Sequence, residues 1–282
     1  MFRTRLLSGI MLLAAAFAVI WAGGVVMAAV LCAISLIAFY ELVKAVGVHT
    51  EGKKINILEA LGYLLIVIYY AALYIGMYLA KYDRTVMYGV LAIGVVAALL
   101  SFLFCYVFCF PVFRAEAVMA AFFSFVYAPV FLSFLYMIRE GWSHGIYLIW
   151  LVFLCSWGSD TCAYAVGVLF GKHKMAPKLS PKKSVEGGIG GIVGAALLFG
   201  LYTYFVVNPF STEKLHWGGA MCLGAVGAVV SMIGDLAASA IKRDHNIKDY
   251  GKLIPGHGGI MDRFDSVIVA APLIFLGLTL IN

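Results

Sequence analysis

The chain has 282 residues, 64% of them hydrophobic and 12% charged, with a net charge of +6 and a mean hydropathy of +1.01. A soluble domain carries about 25% charged residues, so this composition cannot cover a water-facing surface and excludes a soluble globular domain. The apolar runs lack the alternation of barrel strands, which excludes a transmembrane β-barrel and leaves an all-α polytopic integral membrane protein.

Nine spans are predicted from the apolar runs, at roughly 6–22, 24–43, 57–80, 86–110, 112–137, 145–170, 188–207, 217–241 and 265–281. Arg3 and Arg5 precede the first apolar run as they would in a signal peptide. The apolar character continues past Gly24 to Tyr40, however, so a retained first helix is expected. Gly23 and Gly24 divide the first two spans, and the fourth and fifth meet near Pro111. The six cysteines all lie in apolar runs without a CxxC pair, as small helix-packing residues do. No internal repeat of the kind built into many transporters is present. With nine spans and the N-terminus in the cytoplasm, sixteen of the 20 Lys and Arg fall on the cytoplasmic side, as the positive-inside rule expects. The two polar loops 171–187 and 242–264 then share that compartment. Residues 1–140 are expected to form N-terminal helices that supply a lipid groove or an interface, and 141–282 a catalytic region.

Four constellations carry candidate chemistry. Asp235 lies six residues before Ile241, about 9 Å inside the predicted helix end. With Ser239 and Lys242 it shares one helix face at i, i+4, i+7. Acids within a span usually face a partner or a wet cavity; the plainer alternative is a structural ion pair. Asp160 lies about 16 Å from the end of its span, among Ser156, Ser159 and Thr161. It is either a buried acid satisfied by its neighbours or a functional group. Asp262 and Asp265 stand at i, i+3 where the last span is predicted to begin. Asp265 suits a helix cap, and Asp262 suits a metal ligand. Carboxylates alongside oxygen-rich substrates favour Mg²⁺ over Zn²⁺, for which no Cys or His cluster is present. The segment Gly171 to Gly191 places Lys172, Lys174, Lys178, Lys182 and Lys183 before a Gly-rich helix start, with Ser184 and Glu186 beside them. It attracts anionic headgroups at the least, and lysines beside a helix N-terminus make a phosphate cradle. Gly187 and Gly191 also fit small-residue helix packing. His257, between glycines, is a further phosphate donor candidate, as are Lys248 and Arg263.

The run SAIKRDHNIKDYGKLIPGHGGIMDRFD, Ser239 to Asp265, together with SDTCAYAVGVLFGKHKMAPKLSPKKSVEGGIGG, Ser159 to Gly191, resembles the phosphatidate cytidylyltransferases, or CDP-diacylglycerol synthases. The resemblance is strong over about residues 150–270. Before that it amounts to a similar RLLSGI start and a matching run of apolar helices. It implies transfer of CMP from CTP to phosphatidate, giving CDP-diacylglycerol and pyrophosphate, with Mg²⁺ required. It also implies an inner (plasma) membrane, multi-pass protein, often dimeric, with its site on the cytoplasmic face, working on membrane lipid and not on nucleic acid. Asp235 and Asp262 fall at the family's metal positions, and Ser239, Lys183, Lys242 and Arg243 at its active-site positions. Lys172, Lys178, Lys182, Ser184, Glu186, Lys248, Asp249, His257, Arg263 and Asp160 are the expected substrate-binding set. Two alternatives stay open: a CTP-dependent prenol or dolichol kinase, and an ion-coupled transporter built around Asp160 and Asp235. A CDP-alcohol phosphotransferase is disfavoured because its DxxDGxxAR pattern is absent.

Overall fold

A computed structural model of the chain describes residues 2–49, 54–80, 83–211, 214–253 and 258–281, with side chains from residue 9 onward. Helix α1, Phe2–Ala22, is followed by eight helices long and apolar enough to cross a membrane. These are α2 Gly24–Ala45, α3 Ile57–Leu79, α4 Arg84–Phe108, α5 Ala115–Gly141, α6 Gly145–Phe170, α7 Val185–Phe210, α8 Trp217–Asp244 and α9 Met261–Ile281. The protein is an all-α polytopic membrane protein with, among the described residues, one small hairpin, β1 Lys174–Ala176 and β2 Ser180–Ser184. The helices match the spans expected from hydropathy to within four residues at each end; the shifts that bear on the site are that α7 starts at Val185, α8 runs on to Asp244, and α9 starts at Met261. Asp235 therefore lies nine residues, about 13 Å, from the end of its helix.

The chain divides into two compact units. One comprises the residues up to Gly141 together with His245–Arg263, the other Trp142–Asp244 with Phe264 onward. In the first unit, the break between α1 and α2 is made by Gly23 and Gly24, both at positive φ, where a side chain is strained. The end of α5 caps both helices. Arg139 Nε donates to the Ile20 carbonyl at 2.8 Å, and Gly24 N–H donates to Glu140 Oε1 at 2.8 Å. α3 starts with a capping box between Asn56 and Glu59, and the second Glu59 oxygen bonds His49 Nδ1 at 2.7 Å. Asp83 opens α4. Its carboxylate accepts the Thr85 N–H at 2.8 Å, which lowers its pKa from the ordinary aspartate value. Buried hydroxyls tie α2, α3 and α5 together: Ser35 to Tyr70 at 2.9 Å, Tyr70 to the Pro129 carbonyl at 3.0 Å, and Tyr69 to Ser133 at 2.8 Å. Pro129 lies in a π-helical turn, Val126–Val130, consistent with the N–H that proline lacks.

In the second unit, α6 and α7 pack backbone to backbone. A Cβ on Gly187 would lie 2.7 Å from the Ala163 carbonyl oxygen, and one on Gly191 would lie 2.9 Å from Ser159 Oγ. Small residues permit this approach. Cys162 packs against Gly194, and Cys155 against Gly227, which gives these two cysteines the packing role expected of them. A second π-helical turn, Leu154–Gly158, immediately precedes Ser159 and Asp160. Its extra residue rotates the following stretch by about 100° relative to a regular helix. Ser156 and Ser266 join α6 to α9 through a 2.6 Å hydrogen bond. Substituting Gly187→Ala forces the α6 and α7 backbones apart, so a loss of about 1–3 kcal/mol is expected. A lowered Tm in detergent checks it; an unchanged Tm would show that the contact yields freely.

Candidate active site

The lysine-rich loop after α6 folds into the hairpin. β1 and β2 pair antiparallel, Lys174 opposite Ser184 and Ala176 opposite Ser180. Both ends of the hairpin are secured to the start of α7. Ser184 is the N-cap, its Oγ accepting the Gly187 N–H at 3.2 Å. Glu186 accepts the backbone N–H of Lys172 at 3.1 Å and of His173 at 3.2 Å, and bonds His173 Nδ1 at 2.6 Å. Ser184 and Glu186, expected on substrate, thus also set the hairpin's position. Successive strand side chains point to opposite faces. Lys182 is exposed, whereas Lys183 turns inward and places Nζ 2.5 Å from Asp235 Oδ2. The two side chains remain 23% and 26% exposed, so the pair is accessible to a ligand.

This pair lies on a cavity of about 500 Å³ whose walls include Ser159, Asp160, Lys174, Lys182, Lys183 and Asp235. Asp160 interacts electrostatically with both Lys183 and Asp235. Tyr164, Val168, Met175 and Met232 supply apolar wall, and Gly167, Gly187 and Gly188 line it without side chains. The cavity therefore offers cations for phosphate, two carboxylates for a cation, and apolar surface.

The remaining expected residues of this unit lie outside the cavity wall. Ser239 and Lys242 are half-buried on α8, on the helix face that also carries Asp235, and Arg243 is exposed at its end. Lys172 and Lys178 are exposed, Lys178 near the hairpin tip. Asp265 lies inside α9, not at its start, with Oδ1 accepting the Ser266 N–H at 2.8 Å.

In the first unit, Asp262 occupies the first turn of α9 and is 8% exposed. Its Oδ2 accepts the N–H of Tyr250 at 2.8 Å and of Gly259 at 3.0 Å, so the chain on either side of residues 254–257 is tied to one carboxylate oxygen. Gly258 has φ +83°, and a Cβ there would also press on Asp262. Arg263 follows with its Nε buried and without a hydrogen-bond partner among the described residues. A buried guanidinium donor without an acceptor is a place where an anionic ligand would gain. Lys248 and Asp249 are exposed. His257 lies outside the described residues.

Sequence reasoning missed Glu41. It lies in the last turn of α2, buried, with both oxygens on the backbone at the start of α9: Ile260 N–H at 3.1 Å and Met261 N–H at 2.8 Å. These contacts explain why α9 begins four residues before the expected Asp265, since its first donors already have acceptors. The signal was present in FYELVKA, an acid within an apolar span, which is the criterion that singled out Asp235.

A family model described as the cytidylyltransferase family matches residues 3–281. The chain belongs to the cytidylyltransferase family. Among its relatives, a phosphatidate cytidylyltransferase of Haemophilus influenzae is 42% identical over 129 residues, which is 46% of this chain and 44% of that protein. One of Mycobacterium tuberculosis is 40% identical over 169 residues, 58% of this chain and 48% of that protein. One of Thermotoga maritima is 35% identical over 153 residues, 54% of this chain and 56% of that protein. The chain thus matches about half the length of each of these relatives.

The donors in this family member fit Mg²⁺. Asp160 and Asp235 offer carboxylate oxygens on the cavity that Ser159 also lines, and Asp262 offers a carboxylate in the other unit. Among the described residues no group of three His, Cys, Asp or Glu gathers as a ready-made cage. Mg²⁺ is commonly held by one or two carboxylates plus water and substrate phosphates.

Proposed function

We propose that the protein is a phosphatidate cytidylyltransferase, forming CDP-diacylglycerol and pyrophosphate from CTP and phosphatidate. The observation that carries this is the Lys183–Asp235 pair on a cavity that also holds Asp160, Lys174 and Lys182, in a chain of the cytidylyltransferase family. A cavity with both charge signs suits a polyphosphate and its counter-cation.

In the proposed reaction a phosphate oxygen of phosphatidate attacks the α-phosphorus of CTP. A new P–O bond forms, the bond from the α-phosphorus to the β-bridging oxygen breaks, and pyrophosphate leaves. The attacking phosphate is already anionic near neutral pH, so no strong base is needed. The barrier lies in bringing anions together and in charge on the leaving group, and fixed cations lower it. Lys183, Lys182 and Lys174 bind the triphosphate and stabilise departing pyrophosphate, with Lys178, Lys242 and Arg243 as further cations for the same phosphates; Lys248 and Arg263 are candidate phosphate cations of the other unit. Asp235 in one unit and Asp262 in the other are each proposed as a carboxylate for Mg²⁺, which when bound would neutralise phosphate charge and orient the reacting oxygens. When phosphate engages Lys183, Asp235 is released from its ion pair, so the same pair accounts for an accessible carboxylate. Apolar wall at Tyr164, Val168, Met175 and Met232 keeps the lipid end in an apolar setting. The bias of Lys and Arg toward the loops on this side supports a cytoplasmic site in the plasma membrane.

The test uses purified protein with phosphatidate and CTP labelled on the α-phosphate. Label is expected in the lipid, with one pyrophosphate released per turnover, only when Mg²⁺ is present. Transfer of γ-label to a prenol, with CDP released, would replace this function with that of a kinase.

A further inference from the structure

α2 buries one carboxylate where an apolar span would cost less. Glu41 is 4% exposed, and each of its oxygens accepts one of two consecutive amides, Ile260 at 3.1 Å and Met261 at 2.8 Å. These are donors at the start of α9 that lack partners within the helix, and an anion there also complements the helix dipole. Two glycines make room for the carboxylate: a Cβ on Gly251 or on Gly259 would collide with it. One of the two amides that hold Asp262 adjoins those that Glu41 holds, and the other adjoins a glycine that makes room for Glu41. Gly259 N–H, adjoining Ile260, donates to Asp262 Oδ2, and so does Tyr250 N–H, adjoining Gly251. Four backbone amides between Tyr250 and Met261 are thus shared by two carboxylates, one from α2 and one from α9.

We propose that Glu41 is a positioning residue for Asp262. By holding the 260–261 peptide it fixes the backbone from which Gly259 reaches the Asp262 carboxylate, and so sets the orientation in which that carboxylate meets a cation. The inference rests on Asp262 being a metal carboxylate, as in the proposed function. It gives the N-terminal helices a defined part in the site. Glu41 itself has both oxygens committed to the protein backbone, and it acts through Asp262.

The test compares wild type with Glu41→Gln and Gly251→Ala in detergent micelles. In Glu41→Gln an amide group replaces one acceptor and faces a backbone N–H. Gly251→Ala keeps the charge but displaces it, and carries the test if the first variant fails to fold. Mn²⁺ is titrated in the presence of CTP by the EPR signal of the free ion, and hydrogen exchange is followed at the amides of Tyr250 and residues 259–261. Partners of a metal ligand are commonly worth about 10–100-fold in metal affinity. The Mn²⁺ midpoint is expected to rise by about that factor, with faster exchange at these amides and unchanged exchange in α4. Wild-type exchange in the folded variants overturns the proposal, as does faster exchange with a wild-type Mn²⁺ midpoint, and so does a wild type that binds no Mn²⁺. A wild type that binds Mn²⁺ yet makes no CDP-diacylglycerol overturns the proposed reaction while this comparison still decides the role of Glu41.

Discussion

Asp262→Asn is expected to lower turnover by about 10³-fold or more, equivalent to about 4 kcal/mol of transition-state stabilisation. The substitution is informative because it separates charge from architecture. Asp262 Oδ2 accepts the N–H groups of Tyr250 and Gly259 at 2.8 and 3.0 Å. The amide oxygen of asparagine is an equally placed acceptor for both, so these two ties remain. The change removes the anion and, with it, most of the affinity for a hard cation. Asp262→Ala would strand two buried donors, at about 1–3 kcal/mol each, and would confuse a folding defect with a catalytic one. The measurement is the rate of CDP-diacylglycerol formation against Mg²⁺ concentration, with Tm recorded alongside. Near-normal turnover at saturating Mg²⁺ would remove Asp262 from the metal site.

Lys183→Met is expected to lower turnover by about 10²–10³-fold, the usual loss when a fixed transition-state donor is removed. Stability does not account for a loss of that size. The Lys183–Asp235 pair is about a quarter exposed on each side, and pairs open to solvent contribute about 0–1 kcal/mol. A 10²-fold loss corresponds to about 2.7 kcal/mol. Removing the cation also leaves Asp235 and Asp160 on one cavity without the lysine that interacts with both. Lys183→Arg keeps the charge in a broader planar group and is expected to recover to within about tenfold of wild type, less than full activity because the fork does not match a site built for a point charge. Pyrophosphate release and lipid labelling, measured together on variants of wild-type Tm, check both. Retention of turnover by Lys183→Met would make the ion pair a structural tie between β2 and α8.

Hydropathy alone determined the all-α membrane architecture, because an apolar residue must face lipid or a helix neighbour wherever it lies along the chain. Asp235 and Asp160 stood out for the complementary reason that a carboxylate in such a chain is costly without a partner. The Gly187 and Gly191 spacing announced close helix packing, which the α6–α7 contact displays. Tertiary structure decided which of these groups meet. The hairpin was not visible in composition, since a strand of Lys, Pro and Ser has no apolar alternation to betray it; pairing with β1 and caps from Ser184 and Glu186 create it. That pairing selects Lys183, and not its neighbour Lys182, for Asp235. Glu41 shows the limit most clearly. Its partners, Ile260 and Met261, lie 219 and 220 residues away, and they contribute only backbone N–H groups, which every residue but proline possesses. No side-chain pattern can encode such a contact, so only the folded chain reveals that an acid of the second helix holds the start of the last one.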